Sequence, residues 1–288
     1  ASRRSVTESS MRVGRIPYIN CYPVYGAIDR GIVTLDAELV DGIPSALNEC
    51  MAKGSLDISV ISAVEYARDT ARYLLLPDLA ISCDGPVRSV MLFSRAKATA
   101  LGGRRVLVTR SSMTSVVLLE LLFEQVWGVR PIFIPADAEM ADLERAEQPE
   151  HDARLVIGDA ALTLSSGASD LARAYPHAYD LGDVWKEWTG LPFVFAVWVA
   201  LRSAPVEQAL ALHAQLIRSR DWGLAHLGEL ADQAAAATGV PRPAALQYLS
   251  GLDYGLRYEH LAGLTTFFGK LAASGRVPNG SLVFLPAA

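Results

Sequence analysis

The 288-residue sequence is poor in cysteine and histidine, the side chains that most often form disulfides and bind transition metals. The three cysteines, Cys21, Cys50 and Cys83, are odd in number and include no CxxC pair. The five histidines form no HxH or HxxxH pair. These spacings argue against a zinc pattern and against a disulfide framework. We therefore predict reduced thiols in a cytoplasmic protein and no metal site.

Excess positive charge is also missing, because 26 lysines and arginines stand against 31 aspartates and glutamates, for a net charge of −5. Proteins that coat nucleic acid depend on neutralising its phosphates, so this balance argues against nucleic acid as a partner. A small anionic ligand is still compatible with the sequence, since it needs only a local positive potential.

Long charge-free runs are absent, although 51% of the residues are apolar. The longest, residues 188–201, is shorter than the roughly 20 residues of a membrane-spanning helix, and it contains Gly190 and Pro192. Residues 1–10 (ASRRSVTESS) lack the apolar segment of a secretion signal, and Met11 directly precedes the first strand-like run. We expect no membrane span and a cytoplasmic location.

The order of apolar patterns predicts an α/β protein. Strand-like runs alternate with helix-like runs through the first two thirds of the chain, which is typical of βαβ units with a mostly parallel sheet. From residue 205 to residue 273 the pattern is helical throughout. The predicted strands cover residues 12–16, 35–40, 56–61, 73–76, 79–82, 89–94, 105–109, 132–135, 154–157, 179–181 and 193–201, and an exposed acidic helix covers 137–153.

Small polar residues near 97–103 interrupt the alternation, which then restarts. Residues 193–201 are apolar, β-branched and aromatic, which suits a central strand buried on both faces. The simplest arrangement inserts a second lobe, residues 97–196, into a first lobe formed by residues 11–96 and 197–288. Two lobes joined in this way leave a cleft, and ligands of open α/β sheets bind beyond the carboxyl ends of the strands.

Single polar residues stand next to several predicted strands. Asn20 precedes a helix start, where its side chain either caps the helix or points into the cleft. Ser62 and Glu65 have the spacing of a capping box. Asp159 follows another strand and is either a helix cap or a general base. Ser89, at the start of a strand, is ambiguous from spacing alone.

The strongest local signal is a cluster of hydroxyls in residues 109–115 (TRSSMTS). Ser111, Ser112, Thr114 and Ser115 lie between a strand and an apolar helix predicted over residues 114–127. Free amides at a helix start, hydroxyl donors and the positive end of the helix dipole together form an anion site, with excess helix capping as the alternative. The sequence has no GxxxxGK[ST] motif, so a carboxylate fits better than a nucleotide phosphate.

Common catalytic motifs are absent as well. The sequence has no GxSxG motif of a nucleophilic serine and no pair of carboxylates at a recognisable catalytic spacing. Arg15, Arg88 and Arg110 are candidates for counter-charges to an anion, or for surface ion pairs. From these residues alone, the chain is either a two-lobed binder of a small carboxylate or an enzyme that acts on one without a cofactor.

Six segments of the sequence resemble the chorismate dehydratase family of the futalosine route to menaquinone. They follow the same order through residues 11–200 and more loosely into the helical tail. Several long motifs in register are far more specific than any one of them. The segments are residues 12–25 (RVGRIPYINCYPVY), 54–59 (GSLDIS), 76–89 (LPDLAISCDGPVRS), 113–116 (MTSV), 157–162 (IGDAAL) and 180–198 (DLGDVWKEWTGLPFVFAVW).

This resemblance implies a type II periplasmic-binding-protein-like fold, with mixed α/β sheets flanked by helices and a ligand cleft between two lobes. It implies that chorismate loses water to give 3-[(1-carboxyvinyl)oxy]benzoate without a metal or organic cofactor. The active-site Asn and Ser of the family fall on Asn20 and Ser89. Ser62, Ser111, Ser112, Thr114, Ser115 and Asp159 are then candidates for binding the substrate. The resemblance does not specify an oligomeric state.

Two alternatives are compatible with the same fold, and the first belongs to a different functional class. A non-catalytic binding protein for a small carboxylate has the same fold, but it normally carries a secretion signal or a lipidation cysteine. The related cyclase that acts on a futalosine derivative also shares the fold, but its N-terminal motif is of the Pro-Asn-Asp-Thr type. This chain has Tyr-Ile-Asn-Cys-Tyr-Pro at that point, in residues 18–23.

Overall fold

The computed structural model describes residues 10–286, so residues 1–9, on which most of the secretion-signal prediction rests, lie outside the described part. Within it, β-strands and α-helices alternate as the sequence predicts. The strands are β1 (Arg12–Arg15), β2 (Glu38–Asp41), β3 (Ile58–Ser62), β4 (Tyr73–Cys83), β5 (Val90–Ser94), β6 (Arg105–Thr109), β7 (Ile132–Ala136), β8 (Ala153–Ile157), β9 (His177–Asp180), β10 (Phe193–Leu201) and β11 (Leu252–Asp253).

Helices follow most strands and form most of residues 206–273, apart from β11, and the chain then runs without a helix or strand to residue 286, with a bridge between Phe284 and Leu75 of β4. Pro23 and Pro44 stand in the first turns of α1 and α2, where a missing N–H costs nothing. The helices are α1 (Tyr22–Asp29), α2 (Pro44–Lys53), α3 (Ala63–Arg68), α4 (Met113–Leu122), α5 (Met140–Leu143), α6 (Gly158–Ser165), α7 (Leu181–Thr189), α8 (Val206–Ala225), α9 (Leu227–Thr238), α10 (Arg242–Gly251) and α11 (Tyr258–Ala273).

Two mixed sheets form the frame. The first has the order β11-β4-β10-β3-β1-β2, and the second has the order β7-β6-β8-β5-β9. In the first sheet β1 is parallel to β2 and β3, whereas β10 is antiparallel to both of its neighbours. In the second sheet β6 is parallel to β7 and β8, whereas β5 is antiparallel to β8 and β9. The mixed sheets flanked by helices that the resemblance implies are confirmed. The mostly parallel sheet predicted from the strand–helix alternation is wrong, because five of the nine strand pairs in the described residues are antiparallel.

Strand pairing places the first crossover between the sheets earlier than the predicted residue 97. β5 hydrogen-bonds to β8 and β9, so Val90–Ser94 belongs to the second sheet and not to the first. The return crossover lies between β9 and β10, because the strand Phe193–Leu201 pairs with β3 and β4 of the first sheet. An apolar run such as β5 suits either sheet, and only its long-range partners decide between them.

β10 is the central strand that its composition predicts. It lies between β4 and β3, and seven of its nine residues are buried. The two strands predicted over residues 73–76 and 79–82 form one continuous strand, β4. Asp78 within it has a positive φ of 52°, and the register between β4 and β10 shifts nearby. This irregularity explains why the pattern is interrupted at Pro77.

The acidic helix predicted over residues 137–153 is wrong for most of its length. Only the four residues of α5 are helical in this segment. The segment is held instead by the buried side chain of Arg154, which donates to the Asp137 carbonyl and to Gln148. The Gln148 side-chain amide in turn donates to the carbonyl of Asp142. These bonds satisfy the backbone without a helix.

The helical tail packs back on the first sheet and reaches the cleft. α8 packs against α1 so closely that a Cβ on Gly223 would lie 2.0 Å from the Pro23 carbonyl oxygen. α11 packs on β10, and Phe267 stacks edge-on against Phe193 with ring centroids 4.8 Å apart. This packing fixes α10 and β11 beside the end of the cleft.

Candidate active site

A cavity of about 630 Å³ lies where the two sheets face each other. The carboxyl ends of β1, β3 and β8, the start of β5 and the loop after β6 meet there, as the strand-end rule predicts. Its walls are largely apolar, with a few amide, hydroxyl and phenol groups, and no lining residue in the described part is charged. The lining residues are Ile16, Tyr18, Asn20, Pro44, Ser62, Ile81, Val87, Ser89, Val90, Ser112, Thr114, Ser115, Ile157, Gly158, Phe195, Ala196 and Tyr248.

Asn20 lies in a short 3₁₀ turn, Ile19–Cys21, between β1 and α1. It does not cap α1, because the residue at the cap position is Cys21. Its side-chain oxygen Oδ1 is buried and has no hydrogen-bond partner among residues 10–286. Buried acceptors are rarely left unpaired, so this atom points to a ligand group that donates a hydrogen bond. The Asn20 carbonyl accepts a hydrogen bond from the Tyr254 hydroxyl at 2.6 Å, which fixes the turn.

Ser89 is buried at the start of β5, and the carboxylate of Asp180 determines its position. Asp180 accepts hydrogen bonds from the amides of Val87 and Arg88, immediately before Ser89, and also caps α7. Arg88 has a positive φ of 67°, a strained conformation for a residue with a side chain. The Ser89 hydroxyl oxygen lies 2.8 Å from the hydroxyl of Tyr248, which donates to it.

Ser62 caps α3, as the capping-box spacing predicts, by accepting from the Glu65 amide at 3.4 Å. Glu65 does not complete the box, because its carboxylate accepts a hydrogen bond from the Tyr73 hydroxyl. The buried side chain of Asn48 holds Ser62 on two sides. It donates to the Ser62 hydroxyl at 3.0 Å and accepts from the Ser62 amide at 3.1 Å.

The hydroxyl cluster divides into two groups. Ser112 caps α4 by accepting from the Ser115 amide, and its hydroxyl donates to the Ser115 hydroxyl at 2.8 Å. Thr114 accepts a hydrogen bond from the Val64 amide at 3.0 Å, which links the start of α4 to the start of α3. These three residues line the cavity. Ser111 does not, because it forms a turn in which its amide and hydroxyl bond to Thr109.

Asp159 lies beside the cavity lining and not in it. Burial raises its pKa from 3.8 to about 6, opposed by a hydrogen bond with the backbone of Ile19 and reinforced by the charge of Glu139. The carboxylate therefore supports the turn that carries Asn20. Above it, Tyr18 donates to Glu139 at 3.4 Å, a bond that joins the first part of the chain to the loop before α5.

The three arginines predicted as counter-charges do not line the cavity. Arg15 forms ion pairs with Asp29 and Asp41, each at 2.6 Å, and these carboxylates raise its pKa further. Arg110 pairs with Asp137 at 3.2 Å on the surface. Arg88 contributes no side chain to the lining. Helix starts and hydroxyl dipoles are therefore the groups at the lining that can attract an anion, since the cap residue of α4, Ser112, and the first residue of α6, Gly158, both lie there.

Sequence reasoning missed three residues that contact this site, namely Asn48, Tyr248 and Tyr254. Both tyrosines are buried and come from the helical tail, Tyr248 following Ser89 by 159 positions and Tyr254 following Asn20 by 234. No local pattern marks them, because Tyr248 has the spacing of any core residue of a helix and Tyr254 is a buried residue directly after the two-residue strand β11.

Within residues 10–286, the structure shows no helix long and apolar enough to cross a membrane. The same residues contain no group of three His, Cys, Asp or Glu side chains arranged to hold a metal ion. All three cysteines are free thiols.

Comparisons with known proteins agree with the fold and the motifs. The chorismate dehydratase of Thermus thermophilus is 32% identical over 241 residues, which are 80% of this chain and 84% of that protein. A protein from Archaeoglobus fulgidus superposes with a TM-score of 0.70 at 22% identity, covering 93% of this chain and 98% of the other. The periplasmic aliphatic sulphonate binding protein of Escherichia coli gives 0.63 at 14% identity, covering 96% of each chain.

These two structural matches show a periplasmic-binding-protein-like fold, as the resemblance of the sequence implied. The family described as menaquinone biosynthesis matches residues 11–273, which include every element from β1 to α11. The chain therefore belongs to the menaquinone biosynthesis family.

Proposed function

We propose that the chain is a chorismate dehydratase, a hydro-lyase that works in the cytoplasm and needs no metal or organic cofactor. It removes water from chorismate to give 3-[(1-carboxyvinyl)oxy]benzoate. One observation carries the assignment of the site. Asn20 and Ser89, the two residues that the resemblance assigns to catalysis, line one cavity, and Asn20 Oδ1 is buried there with no hydrogen-bond partner in the described part of the chain.

The dehydration does not obviously need a strong acid or base from the enzyme. The C–O bond of the ring hydroxyl and one ring C–H bond break, their electrons complete an aromatic ring, and the hydroxyl leaves as water. Aromatisation makes this elimination strongly downhill. The enzyme has to orient the ring, stabilise the departing hydroxyl and guide one proton. Fixed hydrogen-bonding groups in a largely apolar cavity can do this through preorganisation.

We assign Ser89 to the departing hydroxyl and Asn20 to the proton transfer. The hydroxyl of Ser89 is a donor that can strengthen its bond to oxygen as the C–O bond breaks. Asn20 is a poor base, so its free Oδ1 orients the proton acceptor, which is a water molecule or a carboxylate of the substrate itself. Asp159 lies behind the turn of Asn20 and supports it, so we give it no direct contact with substrate.

Chorismate is a dianion and needs two carboxylate sites. We place one carboxylate at the start of α4, where Ser112 and Ser115 present hydroxyls beside the free amides of the first turn. The second lies against Ser62 and the backbone near Ser89. Thr114 contributes its cavity-facing hydroxyl while it links α3 and α4, and Ser111 shapes the turn before them.

Incubation of the purified protein with chorismate tests the activity directly. We expect loss of one water from the substrate by mass spectrometry and the appearance of aromatic absorbance. Binding of chorismate by calorimetry without conversion would refute the proposal and favour a non-catalytic binding protein. Conversion of a futalosine derivative but not of chorismate would favour the related cyclase.

Single substitutions test the site. Asn20→Ala and Ser89→Ala should each lower kcat by about 100-fold, because each removes a hydrogen bond to reacting groups. Their melting temperatures should stay within a few degrees of the wild type. Ser94→Ala is the matched control, because Ser94 is a buried serine at the other end of β5, and within residues 10–286 its hydroxyl bonds to Ala96 alone. Full activity in both site variants would show that the assignment is wrong.

A further inference from the structure

The hydroxyl of Ser89 has a second support that lies far away in the sequence. Tyr248, on α10, points its phenol at the Ser89 oxygen and donates to it at 2.8 Å. Both residues are buried, with 2% of Tyr248 and 5% of Ser89 exposed, and both line the cavity. Burial also raises the pKa of the Tyr248 hydroxyl far above its ordinary value, so the phenol keeps its proton.

This contact determines which hydrogen bonds remain open to Ser89. A serine hydroxyl has one proton to donate and two lone pairs that accept. The phenol of Tyr248 occupies one lone pair. No acceptor in residues 10–286 receives the proton of Ser89, since Tyr248 is the sole side-chain partner of its hydroxyl there. The proton is therefore free to point into the cavity, towards a ligand oxygen.

We propose that Tyr248 is a positioning residue for the dehydration, because it fixes the Ser89 hydroxyl as a hydrogen-bond donor to the departing oxygen of the substrate. This inference rests on the proposed function. A hydroxyl that accepts one hydrogen bond becomes a stronger donor in the next, so the phenol also strengthens the bond that Ser89 makes. Tyr248 forms no covalent bond and transfers no net proton, and the leaving oxygen departs as water.

The packing of α10 does not require the phenol hydroxyl. Ala245 and Leu249, one turn earlier and one residue later on the helix, are buried apolar residues of the main core, and a phenylalanine ring would fill the place of the Tyr248 ring among them. The hydroxyl has one polar contact in the described chain, which is Ser89. Its role therefore concerns the site rather than the stability of the helix.

Tyr248→Phe tests the inference with the smallest change. We expect kcat for chorismate to fall about tenfold, because the Ser89 hydroxyl loses its fixed direction. KM should stay within twofold, since the carboxylate sites are untouched, and the melting temperature should stay within a few degrees. Tyr66→Phe is the matched control, because Tyr66 is a fully buried tyrosine whose hydroxyl donates to the Ser281 carbonyl at 2.9 Å, outside the cavity lining.

A double-mutant cycle with Ser89→Ala separates positioning from a general effect. If Tyr248 acts through Ser89, adding Tyr248→Phe to Ser89→Ala produces no further loss of kcat. An equal tenfold loss in both backgrounds would overturn the inference, and so would a Tyr248→Phe variant with wild-type kcat. A wild-type protein that does not dehydrate chorismate would overturn the proposed function and this inference together, whereas a wild type that is active but shows no coupling overturns this inference alone.

A second measurement applies if Tyr248→Phe does not fold or Ser89→Ala has no measurable turnover. Site-specific replacement of Tyr248 by fluorinated tyrosines keeps the hydrogen bond and changes the acidity of the phenol. We expect kcat to follow that acidity, because a stronger donor to Ser89 makes its hydroxyl a stronger donor in turn. The same replacement at position 66 should leave kcat unchanged. A kcat that is constant across the series at Tyr248 would overturn the inference.

Discussion

The substitution Asp180→Asn tests two structural roles of the Asp180 carboxylate, which caps α7 and holds the turn before Ser89. Oδ1 of Asp180 accepts from the amides of Gly182 and Asp183 and so caps α7. Oδ2 accepts from the Arg88 amide at 2.7 Å and holds the turn before Ser89. The amide of Val87 lies between them, at 3.0 Å from Oδ1 and 3.1 Å from Oδ2. An asparagine offers one oxygen, which can keep only one of the two tasks.

In Asp180→Asn we expect the new side-chain amide to keep capping α7 and to stop holding the turn before Ser89. With its oxygen in the place of Oδ1 it retains the amides of Gly182, Asp183 and Val87, and asparagine is a good cap residue. Its nitrogen then faces the Arg88 amide, donor against donor. A lost hydrogen bond to a charged group costs about 2 kcal/mol. We expect Asp180→Asn to lower the free energy of unfolding by about that amount.

The same change should lower activity, because Ser89 directly follows the released residue. A small displacement of a catalytic group can reduce turnover by more than an order of magnitude, so we expect kcat to fall about tenfold or more. Urea unfolding and chorismate turnover measure the two effects. Asp170→Asn is the control, since Asp170 forms an exposed ion pair with Arg173, and it should change stability by less than about 0.5 kcal/mol. An Asp180→Asn variant with unaltered stability and kcat would refute this reasoning.

Two further changes test the surroundings of the site. The raised pKa of Asp159, about 6, means that its ionisation disfavours the fold, a penalty that is small below about pH 4, grows between pH 4 and pH 6, and is complete above about pH 6. Asp159→Asn should therefore gain stability over the wild type by up to about 3 kcal/mol between pH 4 and pH 7.5, and a gap in unfolding free energy that does not vary with pH would contradict this. Gly182→Ala would place a Cβ 2.5 Å from the Gly85 carbonyl and 2.7 Å from Cys83 Sγ, so the melting temperature and kcat should both fall. Gly269→Ala, with nothing within 4 Å, should lower neither, and equal behaviour of the two alanine variants would contradict the packing argument.

The sequence predicted several elements because their signals are local. The continuous apolar, β-branched and aromatic run at residues 193–201 identified β10 as a central strand, and the apolar helix after the hydroxyl cluster became α4. Local signals also stand at helix boundaries in the structure, where Pro23 and Pro44 lie in first turns and Gly54, with a positive φ of 75°, ends α2. These features depend on a few neighbouring residues, so their pattern is sufficient.

Other features depended on residues far apart in the chain. The pattern of residues 90–94 is compatible with either sheet, and the pairing of β5 with β8 and β9 decides the matter. The acidic composition of residues 137–153 indicated exposure, but the buried Arg154 side chain and its bonds to Gln148 determine the loop conformation. A charge pattern indicates whether a segment is exposed to solvent. It does not indicate which groups will form hydrogen bonds with the backbone of that segment.

The sequence by itself determined the α/β class, the family motifs and the polar residues at the strand ends, since these follow from local periodicity and residue identity. Only the tertiary structure decided which of them meet. It brought Asn20, Ser62, Ser89, Ser112, Thr114 and Ser115 to one cavity, and left Ser111 and Asp159 outside its lining. It also added Tyr248 from a helix more than 150 residues away. The physical reason is that burial of apolar faces selects the packing of the helices, and this packing sets the hydrogen-bond partners of the site.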